Sequence, residues 1–530
     1  MDKLYWPRPS YYSLTTDPTT PALVHHGFDP GTLDPRMDLL LCFLYASLPW
    51  PPAVSAAASL SCAAAASDEG VDRISGLPDD LLRRIVSRLP AKDGARTTAL
   101  SSRWRRVWRS APLVLVDAHL LPGGGAGGRP ARRGAASAAA RDAVSAALRS
   151  HPGPFPFASL TCGFIGDADA DRAVLARWFH HLATKGVDEL VLVNRPLPLP
   201  GLRLPAALFS CAFLRRLYLG AWVFPDTAGL PRGAAFPNLR ELVLGAVVME
   251  YRDLQFVLAA SPVLESLAVV GNLQPLRARL ASRSLRSAQF VLCYIEEVAV
   301  VDAPSLDRLF FWRNESQRRR GTNQGTRIKI ARAPQLHMLG YLEPGVHVLE
   351  IGDTVIKSGT KPSPVTTVPS VRMLALSLHF GVSNEVKMLP SFLRCFPNVE
   401  TLCIESQPTG EPTGNLNAKF WQKTGPADCV RSNLKVLVFR EFQGEQSELD
   451  FLMYVAQNAQ VLESMLLVLK LGRYAAPEQV AEKYMALESA RWASGGNKLG
   501  ALMSRLRNGV CIWNLKAGTD LTFGDPFLCF

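Results

Sequence analysis

From residue 187 onward one short pattern recurs along the chain: apolar, any two residues, apolar, any one, apolar. Clear copies are VDELVL at 187, LRRLYL at 214, LRELVL at 239, LESLAV at 264, LDRLFF at 306, VRMLAL at 371, VETLCI at 399 and LKVLVF at 434. Weaker copies are LRSAQF at 285, LHMLGY at 336 and LESMLL at 462, and successive starts lie 21 to 35 residues apart. Alternation of period two predicts a short strand in each copy, because successive strand side chains point to opposite faces. Irregular turns or helices are expected in the gaps. Pro237, Pro262, Pro304, Pro334, Pro369 and Pro397 each stand two residues before a copy, at a strand entry where no ladder bond is yet needed. No copy can bury its apolar face alone, but stacked copies can. The expectation is an α/β solenoid with a curved parallel sheet; an ordinary α/β domain with leucine-rich strands is the alternative.

A different period governs residues 72–109, DRISGLPDDLLRRIVSRLPAKDGARTTALSSRWRRVWR. Leu77, Leu81, Leu82, Ile85, Val86 and Leu89 recur at steps of four, one, three, one and three, one face of a helix. Pro78 suits a first turn, where its missing N–H would be unbonded anyway. Asp79 and Asp80 complement the positive end of the helix dipole and Arg83, Arg84 and Arg88 the negative end, and Pro90 stops the helix. Asp93 then reads as the cap of a second helix whose stripe is Leu100, Trp104, Val107 and Trp108. Two such short helices cannot bury both stripes by themselves, so another surface has to complete them.

Composition sharpens this picture in three places. The 530 residues carry a formal charge of +12, and residues 72–109 hold ten Lys and Arg against four Asp, which is half of that excess. An acidic partner surface would be steered to this stretch; nucleic acid is the weaker alternative. The ten cysteines include no CxxC pair, which argues against zinc ribbons and suits scattered, buried thiols in a reducing compartment. The apolar run Leu39–Trp50 is shorter than the roughly 20 residues that span a bilayer; it resembles a signal-peptide core but begins far from the N-terminus.

Gly123, Gly125 and Gly128 satisfy GxGxxG, with a possible helix at Ala135–Leu148 after them. The match falls in a glycine run interrupted by Pro130, and no strand–helix–strand unit follows, so it reads as a flexible connector. The basic run at 313–320, RNESQRRR, reads as a solvated loop or a docking patch for an acidic segment. No phosphate loop, HExxH or nucleophile elbow occurs, and no catalytic residue, metal site or cofactor is expected.

LPDDLL (Leu77–Leu82) and LSSRWRRVW (Leu100–Trp108) together resemble an F-box of the plant type. The repeats resemble leucine-rich repeats, and the region from about Pro390, with FPNVETLCIES and NLKVLVFREFQGEQSELDFLMYVAQNAQVLESMLLVL, resembles the FBD region of plant F-box proteins. The resemblance implies a small helical F-box followed by an irregular leucine-rich-repeat solenoid. The implied layout is a disordered leader at 1–70, the F-box at 71–115, a flexible Gly/Ala/Arg-rich linker at 116–150, repeats at 151–388 and an FBD-like region at 389–530, with a helix at Pro477–Trp492. It further implies the substrate-recognition subunit of an SCF-type cullin–RING ubiquitin ligase, in nucleus or cytoplasm, with no catalytic or membrane role of its own. Its partners would be a Skp-type adaptor, through it cullin, and a target protein held by the repeats. A binding scaffold outside any ligase is the alternative. By position, adaptor contacts would involve Leu77, Pro78, Leu82, Ile85, Leu89, Pro90, Leu100, Trp104 and Trp108, some of which would instead pack the F-box's own core. Gly94 stands where the family has an apolar residue, and a helical glycine costs about 1 kcal/mol.

Overall fold

All eleven repeat copies form strands, and on either side of the copy at 264 successive copies pair in parallel. The computed structural model describes residues 74–121, 133–166, 168–194, 202–231, 233–272, 274–314, 325–409, 413–414, 418–469, 477–495, 499–503, 513 and 515–527, with Leu44, Leu48 and Pro49. The chain divides into two compact units, one of Pro18–Leu264 with Val270–Asn272, the other of Glu265–Val269 with Leu273–Phe530.

In the first unit the parallel strands are β1 (Val114–Val116), β2 (Phe157–Leu160), β3 (Glu189–Val193), β4 (Arg216–Gly220) and β5 (Glu241–Gly245). The register places equivalent repeat positions side by side: Leu190, Leu217 and Leu242 form one column, each 1% exposed or less. Residues 133–150 are helical, with Ala140, Val144 and Leu148 buried, so this half of the expected flexible linker is ordered by an apolar stripe at helical spacing. Trp178, on the helix Asp169–Thr184, donates from Nε1 to the Ser145 hydroxyl and ties the two helices together (2.9 Å). Of the leader expected to be disordered, Leu44 and Leu48 are buried. Leu44 fills the space left by two glycines: a Cβ at Gly220 or Gly245 would come within 2.9 or 2.3 Å of its side chain. Apart from Leu44, Leu48 and Pro49, residues 1–70 lie outside the described residues, as does the glycine run at 123–128.

The division of the chain falls within β6 (Ser266–Val270). Beyond it, in the second unit, the repeat copies continue as β8 (Ser287–Val291), β10 (Arg308–Trp312), β12 (Met338–Leu342), β15 (Met373–Leu378), β16 (Thr401–Ser406), β17 (Val436–Phe442) and β18 (Ser464–Leu469), with β19 (Leu499–Met503) added at the end. The gaps between the first of these hold strands, not turns or helices. β7 (Leu276–Ala281), β9 (Ile295–Asp302), β11 (Thr326–Ile330), β13 (His347–Ile351) and β14 (Thr354–Val355) form a second sheet, parallel except at β13–β14. Their own alternation explains this: in β7, Leu276, Ala278 and Leu280 are buried while Arg277 and Arg279 are exposed, a period of two that no helix can use. The helix expected at Pro477–Trp492 spans Pro477–Glu488.

Five successive repeats turn the same corner. The residue just after the strand is left-handed at Ala221, Ala246, Gly271, Leu292 and Arg313 (φ between 48° and 63°). Only one of these is glycine, so no residue type announces the corner. The ladder holds the others there, through bonds such as Ala221 N–H to Gly245 C=O (2.8 Å) and Leu292 N–H to Trp312 C=O (2.9 Å). Five of the six described cysteines are buried, and burial pushes Cys211, Cys395 and Cys429 up to about 12. They are therefore protonated, poor nucleophiles.

The helix Gln446–Asn458 is opened by Glu445 and Glu448, each accepting from the other's backbone N–H. Glu448 has no solvent exposure and also accepts from Gln443 N–H (3.1 Å) and the Ser406 hydroxyl (2.5 Å). Burial outweighs these donors and pushes its carboxyl from 4.5 up to about 7. The folded chain therefore binds this proton more tightly than the unfolded chain, and the stability this confers is present below about 4.5 and lost as pH rises through about 7.

Thermal melts should show a fall in midpoint between pH 5 and pH 8 that is smaller in Glu448→Gln; identical pH dependence in the two proteins would remove Glu448 as its source. Leu374→Ala, at a column position with 0% exposure, should lose ~2–5 kcal/mol in denaturant titration. Val365→Ala, at 69% exposure, should stay within about 0.5 kcal/mol of the parent.

Candidate functional site

The segment at 72–109 folds as three helices, where the sequence suggested two. Pro78 precedes α1 (Asp79–Ser87), with Asp79 and Asp80 in its first turn. Pro90 both ends that arm and opens α2 (Ala91–Arg96), which tightens into a 3₁₀ turn over Thr97–Ala99. Asp93, expected as a cap, lies inside α2 and pairs with Arg96 (2.7 Å). The cap of α3 (Ser102–Ser110) is Ser101, whose hydroxyl accepts from Trp104 N–H (3.4 Å). Gly94 is buried within α2, where a Cβ would meet Leu113 and Val86 at ordinary contact distances of 3.4 and 3.7 Å. It faces the interior, and the helix forms despite it.

The structure sorts the nine residues read from the sequence as adaptor contacts. Leu82 (0% exposed), Trp104 (5%) and Pro90 are buried and pack with Val86, Ala91 and Val107 in the interior. Ile85 (39%), Leu100 (65%) and Pro78 are exposed, and Leu77, Leu89 and Trp108 are half-buried. Ile74 (56%) and Leu81 (42%) are exposed apolar residues that the motif comparison passed over. The signal for Leu81 was present: it stands four residues before Ile85, so the two share a face of α1, while Leu82 and Val86 share the inward one.

Trp108 is turned toward the repeats. Its ring lies 5.0 Å from that of His151, which lies 5.0 Å from Phe155. His151 Nε2 donates to the Ala111 carbonyl (3.0 Å), and burial pushes this imidazole down to about 4, so it is neutral near pH 7. Leu113 N–H donates to the Pro154 carbonyl (3.0 Å) and Pro90 bridges to Val114. These contacts fasten the three helices to the first strands.

Arg103 and Trp104, the Arg-Trp pair of the second motif, hold the loop before α1. Arg103 pairs with Asp79 through Nε (2.8 Å) and donates to the carbonyls of Ser75 and Leu77, while Trp104 Nε1 donates to the Ser75 hydroxyl (3.3 Å). Nothing in the motif pattern assigns Arg103 this positioning role. Arg84, Arg88, Arg96, Arg105, Arg106 and Arg109 are exposed on the same helices, so the exposed apolar side chains stand in a positive field. The basic run RNESQRRR lies outside the described residues except for Arg313 and Asn314. No described helix is long and apolar enough to cross a membrane.

Comparison with known families agrees with this geometry. The F-box domain model matches residues 74–115, the model "FBD-associated F-box protein At5g56370, LRR repeats" matches residues 175–404, and the FBD model matches residues 422–467. F-box/LRR-repeat protein At3g26922 of Arabidopsis thaliana is 31% identical over 248 residues, 45% of this chain and 74% of the relative. FBD-associated F-box protein At4g13985 of the same plant is 26% identical over 457 residues, 79% of this chain and 95% of the relative. F-box/LRR-repeat protein 13, also of Arabidopsis thaliana, is 25% identical over 453 residues, covering 76% and 90%. With three helices carrying both F-box motifs, a leucine-column solenoid behind them and an FBD match over β17, the helix Gln446–Asn458 and β18, the chain belongs to the F-box/LRR-repeat proteins of the FBD-associated plant type.

Proposed function

We propose that this chain is the substrate-recognition subunit of an SCF-type cullin–RING ubiquitin ligase, docking on a Skp-type adaptor through its F-box and holding a target protein on its repeats. The observation that carries this reading is the division of apolar residues in the three helices. Leu82, Val86, Trp104 and Val107 complete the internal core. Ile74, Leu81, Ile85 and Leu100 nevertheless remain exposed at 39 to 65%, with arginines around them. Apolar side chains left in water on so small a unit favour a partner that covers them, and the positive field favours an acidic partner. The chain itself contributes no chemistry in this reading: it raises the effective concentration of a target lysine near a conjugating enzyme carried elsewhere in the complex. Nucleus and cytoplasm, where such adaptors operate, are the proposed locations.

Replacing Ile85 and Leu100 together by Asp should weaken binding to a purified Skp-type adaptor by at least roughly tenfold, ~1.4 kcal/mol, with the thermal midpoint nearly unchanged. Leu82→Ala should lower the midpoint instead, because it opens a cavity in the core. Calorimetric titration with the adaptor checks both. Wild-type chain that is folded yet does not bind the adaptor would overturn the ligase reading and favour a scaffold working outside it.

A further inference from the structure

A solenoid strand normally buries one face and leaves the other to solvent. In this chain both faces of most repeat strands are covered, and β8 and β10, like β6, are buried at every position. Their inward residues, Ala288, Phe290, Leu309 and Phe311, belong to the repeat columns. Their other face carries Ser287, Gln289, Arg308 and Phe310, and what covers it is the chain's own C-terminal segment at 513–527.

The contacts are those of a receptor holding a peptide. Arg308 is 2% exposed, and its guanidinium donates to four main-chain carbonyls, those of Ala517 (3.1 Å), Asp520 (2.9 Å), Leu521 (3.1 Å) and Phe523 (2.8 Å). Gln289 Nε2 donates to the Leu515 carbonyl (3.1 Å) and the Thr519 hydroxyl (2.9 Å), and its Oε1 accepts from Trp513 Nε1 (2.8 Å). The Ser287 hydroxyl donates to the Gly518 carbonyl (2.9 Å), and Arg440 Nη1 donates to the Phe527 carbonyl (2.7 Å). Two aromatic side chains anchor the segment. Trp513 lies 4.9 Å from the Phe310 ring, and Phe527, with no exposure, lies 5.3 Å from both Phe310 and Tyr341. Between the anchors the backbone comes so close that a Cβ on Gly518 would stand 2.3 Å from Gln289 Oε1.

Side-chain donors that read main-chain carbonyls, with buried aromatic anchors at either end, form a recognition surface. The leucine columns are already closed on the opposite face of these strands. We propose that Ser287, Gln289, Arg308, Phe310, Tyr341 and Arg440 form the target-binding face of this protein. Its ligand is a peptide segment that presents a Trp and a Phe as anchors with a small residue between them. The segment at 513–527 is a built-in competitor that occupies the face until a target displaces it. The proposal rests on the reading of the repeats as the target-holding part, and it adds the ligand's chemistry and the reason the face is closed in the isolated chain.

The test uses the full chain with a protease site inserted between Met503 and Trp513, cut only after folding, and a fluorescent peptide with the sequence of residues 513–527. The cut chain should exchange its tail for the labelled peptide with saturable anisotropy, while the uncut chain binds at least roughly tenfold more weakly, because a tethered copy competes at high effective concentration. The same peptide with Trp513→Ala and Phe527→Ala should not compete. Absence of exchange in the cut chain, loss of its cooperative melt when the tail leaves, or equal competition by the altered peptide would each overturn the proposal. Adaptor binding is measured on the same samples: intact adaptor binding without peptide exchange sinks this inference alone, and peptide exchange without adaptor binding sinks the ligase reading alone.

Discussion

The structure depends on one constraint: a single repeat has an apolar face that it cannot bury, so each strand is stable only beside its neighbour. The parallel ladder meets this by keeping the register of one repeat with the next. Leu437 pairs with Met465 and with Leu402, which pairs in turn with Leu374, so one buried apolar column runs through all four. The backbone is satisfied in the same repeating way. The first apolar residue of a copy donates its N–H three residues back, as Leu306 does to Ala303 and Leu336 to Ala333, and the residue after it donates across the ladder, as His337 does to Asp307. Charges at this edge alternate in sign along the strands, with Arg372 and Lys435 both reaching Glu400. Exposed pairs of this kind add little stability, and they disfavour slipped register.

The F-box faces the same constraint on a smaller scale. Three short helices make one small core, and it is closed from below by Leu113 and Ala111, both 1% exposed or less, and by the neutral His151 beside Trp108. Because this closure comes from the chain itself, the remaining apolar residues are not needed inside. Ile74, Leu81, Ile85 and Leu100 therefore stay exposed without opening that core.

Buried polar groups are handled by two different routes. His151 sheds its charge, burial lowering its imidazole to about 4, and burial raises the Glu448 carboxyl to about 7, so that it holds its proton up to the neutral range. Arg308 takes the other route: its guanidinium is surrounded by carbonyls of the C-terminal segment and the carboxylate of Asp307 (3.3 Å). A buried guanidinium left without those acceptors would be strongly destabilising, so the burial of Arg308 depends on the C-terminal segment that supplies them.

Local pattern alone determined a good deal. Period-two alternation located the strands of all eleven repeat copies, and the L-P-D and R-W motifs located α1 and α3 but not α2, because each recovered signal lies within a few neighbouring residues. Pattern could not rank residues of one helical stripe by depth: Leu82 and Ile85 read alike, and only packing against α3 sends the first inward and leaves the second at 39% exposure. It could not foresee the left-handed corners at Ala221 and Leu292, since the ladder and not the residue type imposes them. Nor could it show that Gly518, more than two hundred residues after Gln289, comes to rest on it. Contacts of that range are made by the stacked sheet as a whole, and no window of sequence contains both partners.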